Sequence, residues 1–69
     1  MSARAILAAN IRKLREAAGL SQETLADLAG IDRTYVSSLE RQRYAASIDM
    51  IEKLAAVLGC TAAELLSPD

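Results

Sequence analysis

Residues 20–41 read LSQETLADLAGIDRTYVSSLER, and they indicate the fold more clearly than any other part of the chain. They predict two short helices, over 22–29 and 33–41, joined by a tight turn in which Gly30 supplies the positive φ. At about 100° per residue, the second helix separates an apolar side from an outward face of small polar and basic side chains. The apolar side is Tyr35, Val36 and Leu39, and the outward face is Arg33, Thr34, Ser37, Ser38 and Arg41.

The flanking sequence predicts three further helices. Apolar residues recur at steps of four, three and four over 3–18, and glycine follows that segment. A second segment, 48–58, also ends at a glycine, and a Thr-x-x-Glu capping box opens a last short helix that ends before Pro68. The predicted fold is therefore all-α, a compact five-helix domain over residues 1–69. Its predicted N-caps include Ser21, Asp32, Ser47 and Thr61.

Composition limits the classes of protein to which the chain can belong. It has 69 residues, no histidine and one cysteine, Cys60, so an internal disulfide is excluded and the commonest metal ligand is missing. We expect no metal site, no cofactor and no small-molecule ligand, and no enzyme, since no nucleophile–base pair is present. The longest uncharged run is too short for a bilayer. A free thiol without a secretory signal predicts a protein of the reducing cytoplasm.

Charge is distributed unevenly along the chain. The formal net charge is −1, but residues 1–43 carry +2 and residues 44–69 carry −3. A net charge of −1 argues against nucleic-acid binding, which is usually the work of a basic domain. The excess of positive charge lies in the half that contains the polar helix face.

The outward face of the second short helix has the chemistry that a DNA major groove requires. Arg33 can pair with O6 and N7 of guanine, and Thr34 can hydrogen-bond a base or contact the thymine methyl group. Ser37 and Ser38 keep the helix thin enough to approach base edges. We therefore predict that these four residues read bases.

Residues around that face are candidates for contacts with the DNA backbone. Gln22 opens its helix beside exposed backbone N–H groups, which favours a phosphate. Tyr35 can place its hydroxyl on a phosphate, or its ring can belong to the core. Four further candidates lie at the end of the second helix and in the loop after it: Arg41, Gln42, Arg43 and Tyr44.

This segment resembles the Cro/C1-type helix-turn-helix of phage repressors and bacterial regulators, also called XRE-like. The resemblance rests on Ser21-Gln22, Leu25-Ala26, Ala29-Gly30, Tyr35-Val36, Leu39-Glu40-Arg41, Leu54-Ala55 and Leu58-Gly59. It implies a lambda-repressor-like domain with the helix-turn-helix at about 22–41, a phosphate contact from Gln22 and a structural pair between Glu40 and Arg15.

A narrower resemblance is to controller proteins of restriction–modification systems, which are dimeric, of similar size and often carry the Asp-Arg-Thr-Tyr run seen at 32–35. One position departs from the wider family, whose members often have glycine after the Glu-Arg pair. This chain has Gln42 there.

The helix over 48–58 has more apolar surface than one contact needs. Ile48, Ile51, Ala55 and Leu58 suffice to dock it on the core. A second stripe either completes the core or forms a two-fold dimer interface within residues 48–66. The predicted interface residues are Met50, Leu54, Val57, Leu65 and Leu66.

We therefore predict a transcriptional regulator that binds double-stranded DNA as a homodimer. A homodimer would hold two reading helices about 34 Å apart, one turn of DNA, on a two-fold symmetric operator. The alternative is a protein-interaction module, antitoxin-like or an adaptor, on the same fold. The net negative charge is its main support.

Overall fold

The computed structural model describes residues 1–68, and within them the chain is all-α with five helices and no strand. The predicted fold class is confirmed. Each predicted helix is present, with boundaries that differ by one residue at most for the first four. None of the five is long and apolar enough to cross a membrane. They are α1 (Ala3–Ala17), α2 (Gln22–Ala29), α3 (Arg33–Glu40), α4 (Ile48–Leu58) and α5 (Ala62–Leu65).

Every helix begins at a side chain that accepts a backbone N–H, which is why local sequence locates the helices so well. Asp32 Oδ1 accepts from the Thr34 amide at 2.8 Å. Thr61 and Glu64 form the predicted capping box, with both reciprocal bonds present. The four predicted N-caps are confirmed, and α1 adds a fifth. The five N-caps are Ser2, Ser21, Asp32, Ser47 and Thr61.

The first four helices end in the same left-handed turn. Three of them use a glycine with φ between 70° and 74°. Helix α3 uses Gln42 instead, with φ 60°. The Arg43 amide donates to Ser38 O at 2.9 Å and the Gln42 amide to Leu39 O at 3.1 Å. These two bonds define a Schellman motif, which normally places glycine where this chain has Gln42.

Replacing Gln42 with glycine is expected to stabilise the fold by about 0.5–1 kcal/mol. The left-handed conformation costs an L-residue roughly 1–2 kcal/mol, and glycine avoids this cost. Part of the gain is lost because glycine also makes the unfolded chain more flexible. Urea unfolding of the Q42G and Q42A variants measures the difference. Q42A removes the side chain without relieving the backbone, so a Q42G midpoint no higher than that of Q42A would contradict the explanation.

A single hydrophobic core draws on all five helices. Helix α3 contributes Val36 and Leu39 and packs against both α1 and α2. Helix α4 packs against α1, α2 and α5. The position of α3 is therefore fixed by its buried side, which leaves the opposite side free. The largest completely buried side chains are Ile11, Leu25, Val36, Leu39, Leu54 and Leu65.

The structure corrects the predicted roles of apolar residues in α4 and α5. Leu54 and Leu65 are completely buried within the chain, so they offer no surface to a second copy. Met50 and Val57 are partly buried and pack against the core. The apolar arc is wide because three neighbouring helices surround α4. Ile48, predicted to dock α4 on the core, lies in its first turn and is 73% exposed.

Asn10 is a buried polar residue that the apolar pattern of α1 did not reveal. Its Nδ2 donates to Leu65 O at 2.8 Å and to Ser67 O at 2.9 Å. These carbonyls lie at the end of α5, where backbone acceptors lack helical partners. Asn10 thereby ties the last helix to the first.

Candidate nucleic-acid interface

The predicted base-reading residues lie together on α3, on the side away from the core. Arg33 and Thr34 are exposed in the first turn, and Ser37 and Ser38 are partly buried one turn later. The side chains of Ser37 and Ser38 are small, so the surface of α3 is narrow at its centre. A narrow polar helix face of this kind fits a major groove.

Thr34 is held in place by the N-cap of its own helix. Asp32 Oδ1 accepts the Thr34 hydroxyl at 2.7 Å as well as the Thr34 amide. Both bonds lower the pKa of Asp32 below its ordinary value, and the bond from the hydroxyl has the larger effect. Because the hydroxyl proton is directed to Asp32, the oxygen of Thr34 is available as an acceptor and its methyl group for apolar contact.

Beneath the candidate interface lies an ion pair between α1 and α3. Arg15 Nε donates to Glu40 Oε2 at 2.7 Å, and Arg15 Nη2 donates to Oε1 at 3.0 Å. The Glu40 side chain is 0% exposed. The same guanidinium reaches Leu20 O at 2.9 Å, at the start of the segment that leads into α2. The pair predicted from the family resemblance is in contact, and it connects α1, α3 and the segment before α2.

This arrangement changes the pKa values of both partners. Burial by itself would raise the pKa of Glu40, but hydrogen bonds, from Arg15 above all, outweigh it and hold the pKa below its ordinary value of 4.5. The hydrogen bond to Glu40 raises the pKa of Arg15. Glu40 is therefore a buried carboxylate that stays ionised.

Two further donors meet the same carboxylate. Gln22 Nε2 donates to Glu40 Oε1 at 3.2 Å, and Arg12 Nε donates to the same oxygen at 3.4 Å. Gln22, predicted to bind phosphate, thus has its amide oriented by Glu40. The sequence predicts Arg12 to be a plain surface charge, with a DNA-backbone contact as the lesser alternative, and its partner in the structure is 28 residues away. No sequence signal indicated its place in this cluster.

An open depression joins the predicted phosphate contact to the predicted base contact. It lies between α1, the start of α2 and the start of α3. Two guanidinium groups and an amide line it beside one carboxylate. The lining residues are Arg15, Ser21, Gln22, Glu23 and Arg33.

On the far side of α3, two tyrosines connect the helix to the following loop. The rings of Tyr35 and Tyr44 are 5.2 Å apart and inclined at 48°. Tyr35 was predicted on the apolar side of α3, but it is 38% exposed because its ring packs on Tyr44 rather than in the core. The loop candidates Arg41, Gln42 and Arg43 are exposed.

An apolar groove lies between α1, the α3–α4 loop and the end of α5. It is lined by Leu7, Tyr44, Ile51 and Leu66, among others. Exposed Ile48 precedes Ile51 by one helical turn, so the two side chains lie on the same side of α4. We refer to the groove together with Ile48 as the apolar groove.

Cys60 does not take part in the polar surface. It is partly buried at the end of α4, and burial, with a smaller effect from Glu64, raises the pKa of its thiol. Among residues 1–68, no three His, Cys, Asp or Glu side chains are grouped closely enough to hold a metal ion.

Comparison with known proteins identifies relatives along nearly the whole chain. A family model described as "Helix-turn-helix" matches residues 11–65. A hypothetical transcription factor of Neisseria meningitidis is 52% identical over 65 residues, which are 94% of this chain and 61% of that protein. This chain thus spans less than two thirds of that relative's length. The crystal structure of the Neisseria factor superimposes with a TM-score of 0.94 at 51% identity, covering 97% of this chain and 77% of the crystallised one.

Two other solved structures are similar. The restriction–modification controller protein C.AhdI from Aeromonas hydrophila is 45% identical, with a TM-score of 0.86 over 90% of this chain and 94% of its own. The biofilm regulator SinR, solved in complex with DNA, is 35% identical, with a TM-score of 0.85 over 88% of this chain and 98% of its own.

Proposed function

Because this chain belongs to the helix-turn-helix family of Cro/C1 type, we propose that it is a transcriptional regulator that binds double-stranded DNA through α3. The observation that carries the proposal is the exposed polar face of α3, fixed from behind by Val36, Leu39 and the buried Glu40. The named relatives are transcription factors and controller proteins rather than enzymes. The place of action would be the cytoplasm of a bacterium, where the DNA lies.

In this proposal, four residues of α3 read bases and the flanking residues hold the backbone. Arg33 would pair with a guanine, Thr34 would accept a hydrogen bond or contact a thymine methyl group, and the serines would allow close approach. The N-terminal end of α2 favours a phosphate on one side of the groove. The backbone contacts would come from Gln22, Tyr35, Arg41, Gln42, Arg43 and Tyr44.

We propose that a second copy of the chain covers the apolar groove. A 69-residue chain with one small core benefits from self-association, and exposed Ile48 and Leu66 give it an apolar contact. A two-fold dimer would place both copies of α3 in successive major grooves, one turn apart. The similarity to C.AhdI supports the narrower role of a controller of a restriction–modification system.

A mobility-shift assay with excess non-specific competitor DNA tests this function against the protein-interaction alternative. With about six phosphate contacts per dimer, affinity should fall roughly a thousandfold between 50 and 200 mM salt. A chain that binds no duplex at 50 mM salt would favour the interaction module instead.

Replacing Arg33 with alanine is expected to weaken operator binding by about thirtyfold or more, because a bidentate contact to guanine is worth ~1–3 kcal/mol and a dimer loses one in each half-site. Preference should relax at one base position in each half-site. Binding to duplexes substituted at each position measures this, and Lys53→Ala on α4 is the charge-matched control. Equal weakening on every sequence would assign Arg33 to the DNA backbone instead.

A further inference from the structure

We infer that Arg12 is a further contact to the DNA backbone, at the same end of the interface as Gln22. This inference rests on the proposed function and adds a residue to its site. Arg12 lies in α1, outside the helix-turn-helix segment. Its guanidinium nevertheless reaches Glu40, the last residue of α3.

The Arg12 guanidinium lies close to the side-chain amide of Gln22. Arg12 Nε and Gln22 Nε2 donate to the same atom, Glu40 Oε1. The two nitrogens are therefore separated by no more than the summed lengths of two hydrogen bonds. Any phosphate that Gln22 reaches lies in the immediate neighbourhood of Arg12.

The orientation of the Arg12 side chain also favours a phosphate contact. The Arg12 side chain is 56% exposed, whereas Glu40 is 0% exposed. Its bond to Glu40 uses Nε, which leaves the two terminal nitrogens available to another acceptor. The Arg12 guanidinium can donate several hydrogen bonds to a phosphate oxygen, and its bond to Glu40 restricts its conformation before DNA binds.

The charges of Arg12, Arg15 and Glu40 also favour a phosphate contact. Arg12 and Arg15 together bring two positive charges to the one negative charge of Glu40, so the cluster is cationic overall. The carboxylate is buried beneath its donors, and the surface of the cluster is the positive part. A guanidinium that is 56% exposed and 3.4 Å from its partner contributes little to stability, so a mainly structural role is a weak explanation for Arg12.

The salt dependence of binding separates a phosphate contact from a structural role. Each phosphate contact contributes about 0.9 to the slope of log K against log salt. Arg12→Ala should therefore reduce the slope by roughly 2 for a dimer and weaken binding ten- to a hundredfold at 100 mM salt. The probe is a 30-base-pair duplex carrying the sequence selected by the wild-type chain from random DNA.

Three further variants complete the test. Arg12→Gln keeps a donor for Glu40 without the charge and should show the reduced slope with an unchanged melting temperature. Arg12→Lys should keep most of the slope, and Lys53→Ala, an equal loss of charge on exposed α4, should keep all of it. A wild-type slope for Arg12→Ala, or full rescue by Arg12→Gln, would overturn the inference. A wild-type chain that binds no duplex would overturn the proposed function itself.

Discussion

Replacing Arg15 with alanine is expected to lower the free energy of unfolding by about 3–5 kcal/mol, because it leaves a buried carboxylate without its main partner. Arg15 makes two of the hydrogen bonds that Glu40 receives, including the shortest, at 2.7 Å. Gln22 and Arg12 remain, but at 3.2 and 3.4 Å they are weaker donors. For a small domain this is a large share of the total stability, about 5–15 kcal/mol in native proteins.

Urea unfolding of Arg15→Ala beside Lys53→Ala measures this cost. Lys53 is an exposed basic residue of α4, so its loss should change stability by less than about 0.5 kcal/mol. Replacing Glu40 by glutamine, which keeps volume and one acceptor, should cost less than Arg15→Ala. A cost below about 1 kcal/mol for Arg15→Ala would mean that the pair is not the link between α1 and α3.

The same pair predicts how stability changes with acid. The pKa of Glu40 is lower in the folded chain than its ordinary value of 4.5, so the unfolded chain binds the proton more readily. The stabilisation is complete above pH 4.5 and is lost as pH falls through the folded-state pKa. Glu40→Gln should lack this part of the acid dependence. An identical acid dependence in Glu40→Gln and wild type would contradict this origin.

Replacing Ile48 with aspartate is expected to abolish the proposed dimer and weaken operator binding by a hundredfold or more. Joining two DNA-reading units strengthens binding by about 10²–10⁴ over one unit, and a monomer forfeits this gain. The monomer itself should remain folded, because Ile48 is 73% exposed and aspartate is favourable in the first turn of a helix. Lost binding therefore cannot be attributed to unfolding.

Sedimentation velocity provides the direct readout of the oligomeric state. Leu28→Asp is the matched control, since Leu28 is a similarly exposed apolar residue on α2, away from the apolar groove. It should sediment as wild type does. An Ile48→Asp chain that still forms a dimer with wild-type affinity would exclude the apolar groove as the interface.

Local sequence predicted the helices well because local interactions determine where they begin and end. The capping side chain of Asp32 and the left-handed turn at Gly30 act within a few residues, and both were identified from residue type alone. The backbone conformation of Gln42 could not be predicted in this way. Its left-handed conformation is set by the end of α3, and its residue type gives no sign of it.

The side-chain contacts that decide the interface depend on residues distant in the chain. The apolar pattern of α4 could not tell which residues face neighbouring helices, so buried Leu54 was assigned to the surface and exposed Ile48 to the core. Arg12 and Gln22 reach Glu40 across 28 and 18 residues, which periodicity cannot reveal. The Arg15–Glu40 pair was predicted only because the family resemblance supplied it.

We propose that α3 reads DNA bases and that a second copy of the chain supplies a second reading helix. Selection of bound sequences from random duplex DNA, with the wild-type chain at moderate salt, tests both parts together. We predict an inverted repeat with half-site centres about 10–10.5 base pairs apart, and a guanine in each half-site whose enrichment disappears with Arg33→Ala. Recovery of sequences with no shared motif, or of a single half-site without its inverted partner, would contradict the account.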